Sequence, residues 1–213
     1  MASVTRGVTT PASDITNDTS YGTLAWTAPE NAGVDDTAYA TRMFGTTTVA
    51  DNVIRLVVDG TVVGDNKADT TTDWSYTEDV FPYGGDTILW GLTPSVAEIN
   101  AVDFGVVLSV YQGTAITYYL KALNFGFSIP SGSTIDGIIV NFKRKKVAGA
   151  RSAQLAYVNY ISITVYYTEA TSGTNLQVQV GDVFRPVSEI YVNVGDVWRS
   201  ATAFVNVGDV WRS

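Results

Sequence analysis

Short apolar runs of strand length recur along the chain, and several of them alternate between apolar and polar residues. In the clearest run, 160–167, the apolar residues Ile161, Ile163 and Val165 alternate with tyrosine, serine and threonine. Such alternation is typical of a half-buried β-strand, because successive side chains point to opposite faces. By these criteria strands are predicted at 52–58, 61–64, 104–111, 135–143 and 155–167.

Turn residues and one short helical signal complete this pattern. Asp59 and Gly60 separate the first two predicted strands, and an Asp-Gly pair between apolar runs favours a tight β-hairpin. Thr93 is suited to cap a helix and Pro94 to occupy its first position. Val96 and Ile99 would then face inward before Asn100, so a single helical turn is predicted to close one end of the fold.

The distribution of apolar residues divides the chain into four segments. Residues 1–20 contain few large apolar side chains and are predicted to be an N-terminal arm, disordered alone and ordered on a neighbouring molecule. Residues 21–169 supply the strands of an all-β domain, a two-sheet antiparallel β-sandwich of jelly-roll-like form. A polar linker at 170–174 precedes a repeat region at 175–213.

The repeat region contains three copies of one eight-residue motif, as VQVGDVFR at 178–185 and as VNVGDVWR at 192–199 and 205–212. Each copy has two apolar runs around Gly-Asp, and glycine at the first central position suits a type II′ hairpin turn. The second copy is therefore predicted to place Val194 opposite Val197, Val192 opposite Arg199, and Asn193 opposite Trp198. The fold class is thus a β-sandwich followed by C-terminal β-hairpin repeats.

An isolated hairpin is marginally stable in water. These hairpins have apolar or aromatic side chains on both faces, and burying them would be stabilising. They are predicted to stack on each other or on other copies of the chain, although packing on the preceding domain is the alternative. A homo-oligomer follows from the first arrangement. The predicted interface residues are Val192, Val194, Val197, Trp198, Val205, Val207, Val210 and Trp211.

Composition and charge exclude several kinds of partner. The 213 residues are 46% hydrophobic, which is incompatible with a disordered chain. The net charge of −8 disfavours nucleic acid as a partner, and the single basic run, 143–146, fits a solvated strand end or a blunted sheet edge. No run reaches membrane-spanning length and no signal peptide is visible, so synthesis in a cytoplasm is expected.

The chain contains no histidine and no cysteine, which removes the commonest general base, the thiol nucleophile and ordinary zinc sites. Carboxylate chemistry of the glycosidase type remains, but no spacing sets a pair apart. The candidate carboxylates are Asp35, Asp36, Asp65, Glu78 and Asp79. The sequence therefore predicts a protein without catalysis, cofactor or resident metal, although Asp35 and Asp36 offer oxygen ligands that suit calcium.

Aromatic residues leave a second class of function open. Trp26, Trp74, Trp90 and the twelve tyrosines are able to stack on sugar rings, as in a carbohydrate-binding module that attaches to host-surface glycan. The alternative is that these side chains fill the core of the sandwich.

Several phrases resemble a β-rich domain of tailed-bacteriophage virion proteins and prophages. They are YLKALNFGFSIPSGSTIDGIIVNFKRK (119–145), VIRLVVDGTVVGDNKA (53–68), YGGDTILWGLTPSVAEINAVDFGVVLSV (83–110) and YISITVYYT (160–168). The VNVGDVWRS copies resemble short C-terminal repeats of phage tail and fibre proteins. In one departure, the Phe125–Pro130 segment follows the Arg55–Val57 hairpin here, whereas the order is reversed in the family.

The resemblance implies a virion structural protein located on the particle: an appendage, fibre, collar or capsid-decoration component. Its implied partners are other virion proteins and copies of itself, in a trimer because phage appendages are often trimeric. Attachment to host glycan remains the alternative function.

Overall fold

The computed structural model describes residues 1–45, 48–149 and 153–170 with their side chains. Beyond these it describes only the backbone of short strands between 177 and 212. The chain divides into two compact units, Met1–Ala170 and Thr171–Ser213, and this division falls at the start of the predicted linker.

Strands are the main regular structure of the first unit. In chain order they are β1 (Ala2–Gly7), β2 (Ile15–Asp18), β3 (Ala40–Phe44), β4 (Ala50–Val58), β5 (Thr61–Val63), β6 (Asp79–Gly85), β7 (Gly105–Gln112), β8 (Ala115–Ile116), β9 (Tyr119–Leu123), β10 (Thr134–Ala148) and β11 (Gln154–Thr168). Every predicted strand is present, with ends that differ by a few residues.

These strands form two antiparallel sheets. The first sheet has the order β1-β11-β10-β6, with β3 also paired to β11, and the second has the order β2-β9-β7-β4-β5, with β8 paired to β7. Asp59 and Gly60 connect β4 to β5, and both have positive φ values, 49° and 70°, as a type I′ turn requires. The predicted Asp-Gly hairpin is therefore confirmed.

One apolar core joins the two sheets. Ile138, Val140 and Phe142 of β10 lie in the same fully buried cluster as Leu56 of β4 and Leu108 of β7. Burying apolar surface from two facing sheets is the main stabilising contribution in such a layer fold. This confirms the predicted all-β, two-sheet sandwich.

Helical structure in the described part of the chain is limited to short turns. They are α1 (Pro11–Asp14), a 3-10 turn (Pro29–Ala32) and α2 (Val96–Asn100). The predicted helix exists, but its cap is Ser95 rather than Thr93, because Ser95 and Glu98 bind each other's backbone N–H groups in a capping box. None of these described helices has the length and apolar character needed to cross a membrane.

The N-terminal residues belong to the sandwich, so the prediction of a separate arm at 1–20 was wrong. β1 pairs with β11 from Ala2 opposite Tyr167 to Gly7 opposite Ser162. β2 pairs with β9, and its Ile15 is 1% exposed in the core. Backbone pairing with existing sheets orders this segment despite its few large apolar residues.

The second unit contains three two-stranded hairpins: β12 (Gln177–Val180) with β13 (Val183–Pro186), β14 (Tyr191–Val194) with β15 (Val197–Ser200), and β16 (Val205–Val207) with β17 (Val210–Arg212). In the second hairpin the predicted partners, Val194 with Val197 and Asn193 with Trp198, are confirmed. The turn residues Gly195 and Asp196 lie outside the described residues.

Candidate functional site

The basic run 143–146 lies inside β10, so the prediction of a solvated strand end or a blunted sheet edge was wrong. β10 lies between β11 and β6, and Arg144 is paired with Val158 on one side and Asp79 on the other. Strand alternation buries Arg144 and Lys146, which are 5% and 7% exposed. The sequence run therefore supplies two buried cations in the sandwich.

Arg144 is the centre of a buried polar network. Its Nη2 donates to Tyr83 Oη at 2.6 Å and to Asp51 Oδ2 at 3.3 Å. Asp51 also accepts from Tyr83 Oη at 2.6 Å and from Trp74 Nε1 at 2.8 Å. The guanidinium lies between two rings, with Cζ 4.3 Å from the Trp74 centroid and 4.1 Å from the Phe81 centroid. Five side chains from four segments of the chain are thus held in one arrangement.

Burial dominates the electrostatics of this network. It raises the pKa of Asp51, although the Arg144 charge and the hydrogen bonds from Tyr83 and Trp74 act in the opposite direction. Burial and the neighbouring Asp51 carboxylate also raise the pKa of Tyr83, so its hydroxyl remains a neutral donor. Burial of the Asp51 carboxylate is unfavourable, and hydrogen bonds from three side chains offset part of this cost.

A cavity of about 390 Å³ lies beside this network. The connection between β5 and β6 contributes Lys67, Asp69, Thr72 and Asp73 to its lining, and β6 contributes residues 81–84. Arg144 also lines the cavity. Its volume falls within the range of about 300–1,000 Å³ that is usual for small-molecule sites.

A second cluster of charges covers the outer face of the first sheet. Lys143 Nζ lies 2.5 Å from Asp35 Oδ1 and 3.4 Å from Glu78 Oε1, and Lys145 Nζ lies 3.6 Å from Glu78 Oε2. Asn159, which is fully buried, donates to Glu78 Oε1 at 3.3 Å. Burial alone would raise the pKa of Glu78, but hydrogen bonds from Tyr39, Asn159 and Lys143 outweigh it and hold this pKa below the ordinary value of 4.5.

Replacing Glu78 with glutamine should flatten the loss of stability in acid. Because the folded-state pKa of Glu78 is lowered, its contribution is present above about pH 4.5 and disappears as the pH falls through the folded value. The free energy of unfolding of E78Q should therefore lie below wild type at pH 7 and approach it at pH 3 in urea titrations. The exposed Asp79→Asn is the matched control, and a constant difference between wild type and E78Q across this range would contradict the assignment.

The carboxylates singled out from the sequence have local partners. Asp35 and Glu78 share Lys143, whereas Asp65 pairs with Lys67 at 3.0 Å. Asp36 Oδ1 accepts from the Ala38 amide at 2.6 Å. Within the described ranges no three acidic side chains converge as metal ligands, and Lys143 neutralises Asp35, so the structure gives no support to calcium at Asp35 and Asp36.

The three tryptophans proposed as sugar-stacking residues belong to the core. Trp26, Trp74 and Trp90 are 3%, 2% and 0% exposed. Trp26 Nε1 donates to the Tyr118 carbonyl at 3.1 Å, and Trp90 Nε1 donates to the Ile138 carbonyl at 3.0 Å. Their ring faces are therefore covered, and the alternative prediction, that these aromatics fill the core, is correct for all three.

The predicted oligomer-interface residues lie on the last four strands of the chain. Val192 and Val194 are on β14, Val197 and Trp198 on β15, Val205 and Val207 on β16, and Val210 and Trp211 on β17. The third hairpin repeats the register of the second, with Asn206 opposite Trp211 and Val207 opposite Val210. Their role in assembly stays a prediction.

Comparison with known proteins adds no assignment: no protein-family model, curated protein or solved structure matches the chain.

Sequence patterns did not reveal the Arg144 network. Its two charged members, Asp51 and Arg144, are separated by 93 residues, and neither stands out among its neighbours. The available signal was the position of Arg144 in a strand whose alternate residues Val140 and Phe142 are apolar, which places Arg144 on the inward face.

Proposed function

We propose that the chain is a structural subunit of a bacteriophage virion, an appendage, fibre, collar or capsid-decoration component that assembles with copies of itself. The observation that carries the proposal is the repetition of one hairpin register in a unit separate from the sandwich. The resemblance of the body and the VNVGDVWRS phrases to virion proteins supports the same conclusion.

The hairpins explain why assembly is the favoured role. Among the described strands, each strand of the second unit pairs only with its hairpin mate. Two-stranded hairpins are marginally stable alone, so three in succession need additional packing. The alternation of the repeated phrase predicts a shared face with Val192, Val194 and Val197, and this face is suited to stacking against another hairpin.

Deleting residues 175–213 should convert an oligomer into a folded monomer. The described core residues all belong to Met1–Ala170, so the near-ultraviolet circular dichroism of the sandwich should be preserved. Sedimentation velocity should show the full chain as an oligomer, with a trimer preferred. Because truncating a central interface aromatic commonly costs about 2 kcal/mol or more, the pair W198A/W211A should also shift the full chain toward monomer.

The matched control is Val102→Ala, which removes an exposed apolar group from the body, where Val102 is 70% exposed. It should leave the oligomer unchanged. If the truncated chain keeps the oligomeric state of the full chain, assembly occurs through the sandwich and the hairpins have another purpose. Immunogold labelling of purified particles with an antibody to the sandwich tests the virion assignment itself, and unlabelled particles would contradict it.

A further inference from the structure

The cavity beside the Arg144 network has a rigid wall formed by an irregular connection. Residues 64–78 join β5 to β6 without helix or strand, and connections of about this length are usually either functional or flexible linkers. Asp69 Oδ1 accepts from the Thr71 amide at 3.0 Å and the Thr72 amide at 3.1 Å, which fixes a turn. Tyr111 Oη donates to the Thr70 carbonyl at 2.6 Å and ties this turn to the second sheet.

Strand β6 contributes an aromatic side chain, Phe81, to the lining of the same cavity. Phe81 of the edge strand β6 is half-buried, and its ring packs against the Arg144 guanidinium at 4.1 Å. Arg144 is fixed in turn by Tyr83 and Asp51. The Phe81 ring therefore belongs to a preorganised surface, and binding a ligand there needs little ordering of side chains.

Charge balance disfavours an anionic ligand and a divalent metal ion. Three cations near the cavity already have carboxylate partners: Lys67 with Asp65, Lys146 with Asp73, and Arg144 with Asp51. A phosphate or sulfate would require uncompensated positive charge, which these pairs do not supply. A divalent cation would require several convergent carboxylates, and no such group exists in the described part of the chain.

The polar side chains of the lining include both donors and acceptors. Asp69 accepts from the Thr71 and Thr72 side chains, and Lys67 Nζ binds Asp65. The second Asp69 oxygen is a further acceptor, and the Lys67 ammonium has further N–H donors. Phe81 and Pro82 add apolar surface beside them. A pyranose ring combines hydroxyl groups that donate and accept with an apolar C–H face that packs on an aromatic ring.

We infer that this cavity binds a neutral saccharide of one or two sugar units, with its C–H face on Phe81 and its hydroxyl groups on Thr72, Asp69 and Lys67. The cavity volume of about 390 Å³ suits a ligand of this size. The site differs from the tryptophans considered in the sequence, and the inference does not rest on the virion assignment.

Saturation-transfer NMR on the full-length protein tests this inference directly. The probes are glucose, galactose, mannose, N-acetylglucosamine, lactose and maltose, with glucuronic acid and inorganic sulfate as anionic comparisons. At least one neutral sugar should show saturation of its ring C–H protons. Phe81→Leu keeps apolar volume but removes the aromatic face, and it should weaken that binding by about five- to tenfold.

Thr72→Val is the second variant, because it removes one hydroxyl from the connection and leaves the strands and the core unchanged. It should also weaken binding. Tyr76→Leu is the matched control, since Tyr76 is an aromatic residue that is 58% exposed outside the cavity lining. Near-ultraviolet circular dichroism establishes that each variant is folded.

Three results would overturn the inference. The first is no saturation for any neutral sugar at 50 mM. The second is sugar binding that Phe81→Leu and Thr72→Val leave unchanged, because the sugar then binds elsewhere. The third is displacement of the sugar by sulfate with a stronger affinity, which would make the cavity an anion site.

Discussion

A chain that lacks residues 1–20 should fail to form a stable sandwich. The deletion removes β1 from the edge of the first sheet and β2 from the edge of the second. It also removes Ile15, which is 1% exposed, and Val4, which packs on the core. Each buried aliphatic side chain contributes about 1.5–3 kcal/mol, and two strand ladders are lost as well. The total is comparable with the usual stability of about 5–15 kcal/mol for a whole domain.

Circular dichroism and thermal unfolding of the purified truncated chain measure this effect. Ile15→Ala is a milder change and should lower the free energy of unfolding by about 2–5 kcal/mol. The exposed Val102→Ala should lower it little. In the free full-length chain, limited proteolysis should spare residues 1–20, because their backbone is paired in the sheets. A truncated chain with the melting temperature of the full chain would show that these strands are dispensable.

The N-terminal segment shows what composition fails to reveal. Residues 2–7 read Ala-Ser-Val-Thr-Arg-Gly, with Val4 as the one large apolar residue among them. An edge strand needs only backbone pairing on one side and occasional apolar contact, so its hydrophobic signal is weak. A segment predicted to be a disordered arm is therefore an integral edge of the first sheet.

The long strands were predictable because the alternation of apolar residues and the positions of turn residues indicated the same strands. β11 contains Ile161, Ile163 and Val165 in strict alternation, and β4 ends at an Asp-Gly turn. β6 was not predicted, since Pro82 and the glycine pair Gly84 and Gly85 weaken its strand signal. Its position at a sheet edge explains why proline is tolerated there.

The candidate sites depended on topology, which local patterns do not contain. The run 143–146 reads as a solvated cluster of positive charge, yet alternation within β10 gives its members different environments. Whether Arg144 has a buried partner depends on Asp51 and Tyr83, from two other strands. Sequence reasoning identifies the side chains that such a network needs but not the pairing that brings them together.

Replacing Asp51 with alanine should be among the most destabilising single substitutions in the body. Asp51 is fully buried and accepts hydrogen bonds from Trp74, Tyr83 and Arg144. Its removal leaves the Arg144 charge buried without its carboxylate, and breaking a buried pair from one side costs about 3–5 kcal/mol. Urea unfolding of the full-length protein, followed by tryptophan fluorescence, measures the loss. The exposed Asp86→Ala is the matched control and should change the free energy of unfolding little.

Removing both charges should cost much less than removing one. Burial raises the pKa of Asp51 despite the adjacent guanidinium, so desolvation offsets much of the attraction within the ion pair. The double substitution Asp51→Leu with Arg144→Met should therefore recover most of the stability that Asp51→Ala loses. It should not recover saccharide binding, because Phe81 then lacks the guanidinium that holds its ring. If Asp51→Ala is as stable as wild type, the network is not what fixes this wall of the cavity, and Phe81 must be positioned by the core alone.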